Sequence, residues 1–181
     1  CHPPVDVDLF CPGDGPRGDF LLAVGALVPY KRYDVAIEAA RALGRRLVLV
    51  GAGPEEARLR ARASPSVTFL SGLSAEELRE LYRTCAFYVQ PGEEDFGISA
   101  VEALACGTPV VALDRGGARD VVRDGENGVL YGGEDAEALA GAVTRAGSRK
   151  FDYTQLRASA LPFRRERFAE EFQTALGELL R

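Results

Sequence analysis

The stretch of residues 86–113, AFYVQPGEEDFGISAVEALACGTPVVAL, holds two apolar runs on either side of a helical pattern. The runs at 86–90 and 109–113 are apolar almost throughout, as strands are when both faces of their sheet are covered. The segment between them, at about 97–106, is apolar nearly all round, which indicates a buried helix. A strand, a helix and a second strand in this order predict the βαβ unit of a parallel sheet.

The same alternation continues on both sides of this unit. Further strands are predicted at 20–24, 46–50, 67–70 and 128–131, and amphipathic helices at 33–43, 135–146 and 163–180. Ser74 and Glu77 form the capping box of one more helix. We therefore predict an α/β fold, a doubly wound, Rossmann-like parallel sheet of about six strands with helices on both faces. In such sheets, ligands bind beyond the carboxyl ends of the strands.

Composition excludes several classes of protein. The 181 residues include 22 basic and 27 acidic side chains, a net charge of −5, and no long basic run, so nucleic acid is not an expected partner. No apolar run approaches the ~20 residues of a transmembrane segment. The four cysteines show no metal-binding spacing and fit a reducing compartment. Because the chain lacks methionine and begins with Cys1, we interpret it as a piece of a longer one.

Three regions follow from this pattern. Residues 1–15, rich in proline and aspartate, are predicted to be an interdomain linker. Residues 16–150 are predicted to form the Rossmann-like domain, and residues 151–181 the C-terminal helices of the same domain. The chain's one histidine, His2, falls in the predicted linker, so no Ser/His/Asp or Cys/His catalytic set and no metal cluster can be assembled.

Two carboxylates and a helix start are the strongest candidates for chemistry. Glu94 lies in the predicted loop and Glu102 inside the apolar helix, where a buried charge needs a partner. Free amides at Gly97 and Ile98 would hold an anion such as a phosphate, and the missing Cβ of Gly97 would let it approach. Glu102 would then meet a pair of ribose hydroxyls. The alternative is that Glu102 pairs with an arginine and that Glu94 is merely solvated.

Loops after other strands add weaker candidates. Lys31 and Arg32 follow the first strand, where they could clamp a diphosphate or could simply be solvated. The turn at Leu73 could cradle a base through its backbone or could be only a turn. The glycine-rich segment 115–117 is a further candidate for binding an anion or a sugar.

These motifs together resemble those of a known protein family. VGALVPYKRYDVAIEA at 24–39 and PGEEDFGISAVEALACGTPVVA at 91–112 resemble the C-terminal, donor-binding domain of family-four retaining glycosyltransferases, one half of the GT-B fold. The sequences of these motifs are most similar to those of bacterial polysaccharide mannosyltransferases. The resemblance implies a nucleotide-sugar donor, a GDP- or UDP-sugar, with no further cofactor and no metal. The residues that it assigns to the donor are Lys31, Arg32, Leu73, Phe96, Gly97, Ile98 and Glu102.

The resemblance also assigns roles. Glu102 takes the ribose hydroxyls, Lys31 and the amides of Gly97 and Ile98 take the diphosphate, Leu73 or its neighbours face the base, and Glu94 is the catalytic residue near the reacting sugar carbon. Where the family usually has an arginine after the first-strand glycine, this chain has Ala26. Its donor is therefore expected to bind more weakly.

The implied function is the transfer of a hexose, with GDP-mannose as the expected donor, to a glycan or lipid-linked acceptor. The acceptor-binding N-terminal domain of the family has no counterpart here, so the chain is expected to be inactive alone. A cytoplasmic location is expected, with the whole enzyme at the inner face of the membrane. The alternatives are a free-standing nucleotide-sugar-binding module and a sugar-nucleotide epimerase or phosphorylase of the same fold.

Overall fold

Six parallel strands form one sheet in the computed structural model, which describes residues 1–180. Their spatial order is β3-β2-β1-β4-β5-β6. The strands are β1 Leu21–Val24, β2 Leu47–Val50, β3 Val67–Leu70, β4 Phe87–Gln90, β5 Val110–Leu113 and β6 Gly128–Tyr131. This is the doubly wound, Rossmann-like arrangement predicted from the sequence, and all six predicted strands are present.

Eight α-helices connect or follow these strands. They are α1 Tyr33–Ala42, α2 Glu56–Arg62, α3 Ala75–Thr84, α4 Ile98–Ala105, α5 Ala118–Val121, α6 Ala136–Gly147, α7 Tyr153–Ala160 and α8 Arg165–Leu179. The predicted capping box is confirmed, because Glu77 N–H donates to Ser74 Oγ and Ser74 N–H donates back to the Glu77 carboxylate. None of the helices in the described part of the chain is long and apolar enough to cross a membrane.

The core lies on both faces of the sheet. Leu22, Val24 and Tyr88 point to one face and pack with α4 and α7, while Leu21 and Val89 point to the other and pack with α1 and α6. Because alternate residues of a strand point to opposite faces, only a sheet covered twice explains strands that are apolar at every position. The burial of these strands is the main favourable contribution to folding.

The segment 1–15 packs onto the domain instead of lying free. Val5, Val7 and Phe10 are buried in the core beside α4 and α7. Val5 N–H donates to the carbonyl oxygen of Phe163 at 2.8 Å. Its role as an interdomain segment, and the predicted boundaries at 15 and 150, stay predictions.

The C-terminal helix departs in detail from its predicted range of 163–180. A 3-10 turn at Leu161–Phe163 comes first, since Pro162 stands at its start, and α8 then begins at Arg165. No residue of α8 is buried, although Phe172, Leu176 and Leu179 are large and apolar.

Candidate functional site

A cleft opens where the order of the strands reverses. The chain runs from β1 outward through β2 to β3, and then returns to place β4 on the other side of β1. The helices that follow β1 and β4 therefore lie on opposite faces of the sheet, and such a switch point is where sheets of this type bind ligands. The cleft has a volume of about 660 Å³ and is lined by Pro3, Tyr30, Lys31, Tyr88, Glu93, Glu94, Asp95, Phe96, Gly97, Ile98 and Ser99.

The two loops meet through an ion pair. The ammonium group of Lys31, at the end of the 3-10 turn after β1, binds the carboxylate of Glu94, in the loop after β4. Glycines permit this approach: a Cβ on Gly25 would lie 2.9 Å from Lys31 Nζ, and a Cβ on Gly92 would overlap the backbone of Tyr30 and Lys31. The one lysine of the cleft is thus already engaged by a carboxylate before any ligand binds.

The Glu94 loop is supported from behind by two glycines. The amide of Gly117 donates to the carbonyl oxygen of Glu94 at 2.8 Å. A Cβ on Gly116 would overlap that carbonyl oxygen, and a Cβ on Gly117 would overlap Phe96 Cα. The glycine-rich segment 115–117, a candidate for anion or sugar binding, thus packs against the backbone of the Glu94 loop.

Gly117→Ala is expected to lower the affinity of the cleft for a ligand by about tenfold, because a methyl group there displaces the backbone of the Glu94 loop. Gly117 has an ordinary helical φ of −66°, so the effect comes from the contact and not from backbone strain. Gly141→Ala, in α6 with open space around it, is the matched control. Calorimetric titration of both variants with GDP measures the difference. Equal affinities would show that the loop tolerates the displacement.

Gly97 begins α4 in a left-handed conformation. Its φ is 92°, which favours glycine, and a Cβ there would lie 2.9 Å from Gln90 Oε1. The sequence analysis expected the missing Cβ to make room for an anion. In the structure, the buried Gln90 amide lies where that Cβ would be, so the glycine is needed for its backbone conformation and for this contact. The amides of Ile98 and Ser99 precede the first α-helical bond, from Val101 N–H to Gly97, and line the cleft.

Glu102 lies one turn deeper on α4 and pairs with a phenol. The hydroxyl group of Tyr82 donates to Glu102 Oε2 at 2.8 Å. Burial raises the pKa of Glu102 to about 7, and the hydrogen bond from Tyr82 opposes that rise. The alternative that Glu102 pairs with an arginine is wrong for the described residues, since its partner is Tyr82.

Three predicted site residues are not among those that line the cleft: Glu102, one helical turn deeper on α4, and also Arg32 and Leu73. The guanidinium of Arg32 is 3.5 Å from the Glu134 carboxylate and 3.6 Å from that of Asp34. These two carboxylates account for its position, which does not support a direct contact between Arg32 and a diphosphate. Leu73 is partly buried against the core and does not line the cleft. Its predicted contact with a base stays a prediction.

The N-terminal segment reaches the cleft, which the sequence did not indicate. The ring of His2 stacks on that of Phe96, with centroids 5.1 Å apart, and Pro3 lines the cleft. Phe163 packs edge-on against Phe96 at 5.3 Å. Phe96 is thereby held between two rings and is almost fully buried. Nothing in the sequence could have paired positions 94 residues apart, because neither residue belongs to a periodic pattern.

No group of three or more His, Cys, Asp or Glu side chains that could hold a metal ion occurs within residues 1–180. The charges available to an anion in the cleft are the Lys31 ammonium and the positive end of the α4 dipole.

These features define a Rossmann-like α/β domain whose cleft, at the switch point, brings a lysine and its paired carboxylate to the start of a helix. Residues 14–160 match the family described as glycosyl transferases group 1. The chain therefore belongs to the group 1 glycosyl transferases.

Relatives and solved structures agree with this family. A D-inositol 3-phosphate glycosyltransferase from Mycobacterium sp. (strain KMS) is 38% identical in an alignment 170 positions long, which covers 82% of this chain and 39% of that protein. Sucrose-phosphate synthase from Thermosynechococcus elongatus is 27% identical, with a TM-score of 0.80, and is matched over 98% of this chain and 51% of that one. The lipopolysaccharide outer core galactosyltransferase WaaB shares the fold, with a TM-score of 0.81 at 19% identity over 98% of this chain and 54% of that one.

The chain thus spans 39% of the length of this curated relative and about half of each of the two solved structures. Its architecture is that of one half of the GT-B fold.

Proposed function

We propose that this chain is the donor-binding part of a retaining hexosyltransferase and that its cleft binds the nucleoside diphosphate of a sugar donor. One observation carries the proposal: the cleft at the switch point brings Lys31 to the start of α4, whose next turn carries Glu102. A cation, free helix-start amides and a carboxylate are the groups that a diphosphate with an attached ribose requires.

Each group has a separate role in this proposal. The amides of Ile98 and Ser99 and the ammonium of Lys31 bind the diphosphate and stabilise its charge as the sugar leaves. Glu102 accepts hydrogen bonds from the ribose hydroxyls. Glu94, at the outer end of the cleft, contacts the sugar near the reacting carbon. Since Glu94 pairs with Lys31 in the free chain, the incoming phosphate competes with a carboxylate for the same ammonium group.

The sugar and the acceptor are further proposals. The resemblance of the motif sequences supports GDP-mannose as the donor and a glycan or lipid-linked molecule as the acceptor. It also supports a cytoplasmic location, with the whole enzyme at the inner face of the membrane. The relatives are named for D-inositol 3-phosphate, and this supports a phosphorylated polyol as a second acceptor class. An acceptor would bind mainly to the part of the relatives that this chain does not span.

The exposed face of α8 fits a contact with that other part. Phe172, Leu176 and Leu179 are 51%, 45% and 82% exposed, and they recur at helical spacing along one helix. In the family that the sequence resembles, the corresponding helix runs back to the other domain.

Calorimetric titration with GDP, UDP and ADP tests the proposed function. We expect the chain to bind at least one of the three, and Glu102→Gln to weaken that binding by about tenfold, because a neutral amide is a poorer acceptor for hydroxyl groups than a carboxylate. Glu137→Gln, an exposed position on α6, is the matched control. Absence of binding by all three nucleotides, or equal binding by both variants, would contradict the proposal.

Ala26→Arg is expected to tighten binding of the same nucleotide by about tenfold at low salt, because it adds a charge-assisted contact beside the diphosphate. The gain should fade at high salt, where exposed charges are screened. Ala61→Arg, on the exposed face of α2, adds the same net charge elsewhere. Titration of both variants at two ionic strengths measures the effect. A gain shared equally by the two would show that position 26 does not face the phosphates.

A further inference from the structure

The hydroxyl group of Tyr82 is a buried polar group that the proposed function leaves unused. Tyr82 lies on α3 and is 0% exposed. Its ring packs edge-on against Phe10, with centroids 5.8 Å apart, and at a tilt against Tyr88, at 6.0 Å. The ring therefore has one position, and it directs the hydroxyl group at Glu102 Oε2. A buried phenol needs a hydrogen-bond partner, and the partner here is the Glu102 carboxylate.

This hydrogen bond makes the two oxygens of the Glu102 carboxylate inequivalent. Oε2 accepts from Tyr82, whereas Oε1 accepts no side-chain hydrogen bond from the described residues and keeps both of its lone pairs for a ligand. A glutamate side chain on a helix can occupy several staggered rotamers, and a fixed donor to one carboxylate oxygen selects one of them. The same hydrogen bond favours the ionised form of Glu102, which is the better acceptor for hydroxyl groups.

We propose that Tyr82 is a positioning residue for the donor: its hydroxyl group holds the Glu102 carboxylate so that Oε1 faces the ribose hydroxyls of a bound nucleoside diphosphate. The inference rests on the proposed function, in which Glu102 contacts the ribose. It adds a residue of a different helix that touches no substrate atom and acts through the carboxylate alone.

The groups around Glu102 leave Tyr82 as the hydrogen-bond donor to this carboxylate among the described residues. Burial raises the pKa of Tyr88 on β4 well above its ordinary value and that of Cys106, at the end of α4, to about 12, so both are neutral near pH 7. Burial likewise raises the pKa of Tyr82 itself. The guanidinium of Arg157, on the packed helix α7, donates to the carbonyl oxygens of Val7, Phe10 and Ala105. On α5, Arg119 pairs with Asp114.

Tyr82→Phe tests this role, because it removes the hydroxyl group and keeps the packed ring. The probe is whichever of GDP, UDP and ADP the unmodified chain binds most tightly, together with the 2′,3′-dideoxy form of the same nucleotide. At pH 7 we expect Tyr82→Phe to lose about tenfold in affinity for the ribose form and to bind the dideoxy form unchanged. The preference for ribose should recover partly as pH rises, since Glu102 without its donor ionises at higher pH.

Tyr131→Phe is the matched control, since it removes another buried hydroxyl group, which lies on β6 in the core of the opposite sheet face. It should change neither affinity. Equal losses for the ribose and dideoxy forms in Tyr82→Phe would overturn the proposal, because they would show a general loss of structure. An unchanged preference for ribose at every pH would also overturn it.

If Tyr82→Phe does not fold, the double variant Tyr82→Phe with Glu102→Gln decides the matter. Recovery of folding in the double variant would show that the hydroxyl group acts through the Glu102 carboxylate, as the proposal requires. Failure of both would show that the fold needs the hydroxyl group for another reason and would overturn the proposal. If instead the unmodified chain binds none of the three nucleotides, the proposed function itself fails, and this result is distinct from a Tyr82 variant that behaves like the unmodified chain.

Discussion

The 181-residue chain alone is expected to transfer no measurable sugar from GDP-mannose or UDP-glucose to D-inositol 3-phosphate or to an oligosaccharide. A transferase must hold donor and acceptor together in a shielded site, and such positioning supplies ~7–11 kcal/mol of the barrier reduction, or about 10⁵-fold or more in rate. The described chain offers an open cleft with the groups proposed to bind the donor, and it spans 39% of a curated relative.

Radiolabelled donor and chromatographic separation of the products measure this rate. Hydrolysis of the donor is followed in parallel, since loss of the donor to water would otherwise be mistaken for transfer. The full-length D-inositol 3-phosphate glycosyltransferase from Mycobacterium is the positive control. Turnover by the isolated chain within about a hundredfold of that control would contradict the expectation and would show that this chain carries an acceptor site of its own.

Lys31→Ala is expected to weaken binding of a nucleoside diphosphate by about a hundredfold. The ammonium group is the cation that lines the cleft of the described chain, and a charge-assisted hydrogen bond contributes roughly 1.5–3 kcal/mol. Lys150→Ala is the matched control, because Lys150 borders a different hollow, beside Phe87 and Pro109 at the amino ends of β4 and β5. Calorimetry at low salt measures both. A loss of less than about threefold in Lys31→Ala would place the diphosphate elsewhere.

Glu94→Gln should act in the opposite direction. Removal of the carboxylate frees the Lys31 ammonium group from its ion pair and takes a negative charge away from the diphosphate. A partly exposed pair of this kind contributes up to about 1 kcal/mol, so affinity for GDP or UDP should rise by about fivefold. The double variant with Lys31→Ala should show no such gain. A loss of affinity in Glu94→Gln would mean that Glu94 itself binds the nucleotide.

The fold could be predicted because its signals are local. Apolar runs such as those at 86–90 and 109–113 indicate buried strands without any knowledge of their neighbours. The helical period at 33–43 is likewise contained within a stretch of eleven residues. The order of elements then leaves a parallel, doubly wound sheet, because parallel strands need a crossover between them. The exceptions were the short helices α5 and α7, for which no range was predicted, and ends of elements, such as the start of α8, where one proline decides between a helix and a 3-10 turn.

The candidate site was predicted in part for the same reason. Lys31, Glu94 and Gly97 follow the carboxyl ends of two strands, and the topology brings such loops together. Arg32 could not be separated from Lys31 by sequence, since adjacent residues share every local signal. Only the tertiary structure directs one side chain to Glu94 and the other to Glu134 and Asp34.

Local sequence patterns therefore predict the class of fold, the edge of the sheet that carries the cleft and the residue types available there. The tertiary structure alone decided which of these groups are paired. Tyr82 and Glu102 are 20 positions apart, and His2 and Phe96 are 94 apart. Such contacts depend on side-chain rotamers and on loop paths set by close backbone approach, as at Gly117. Neither leaves a periodic signal along the chain, because each is selected by packing between elements and not by the propensity of any one element.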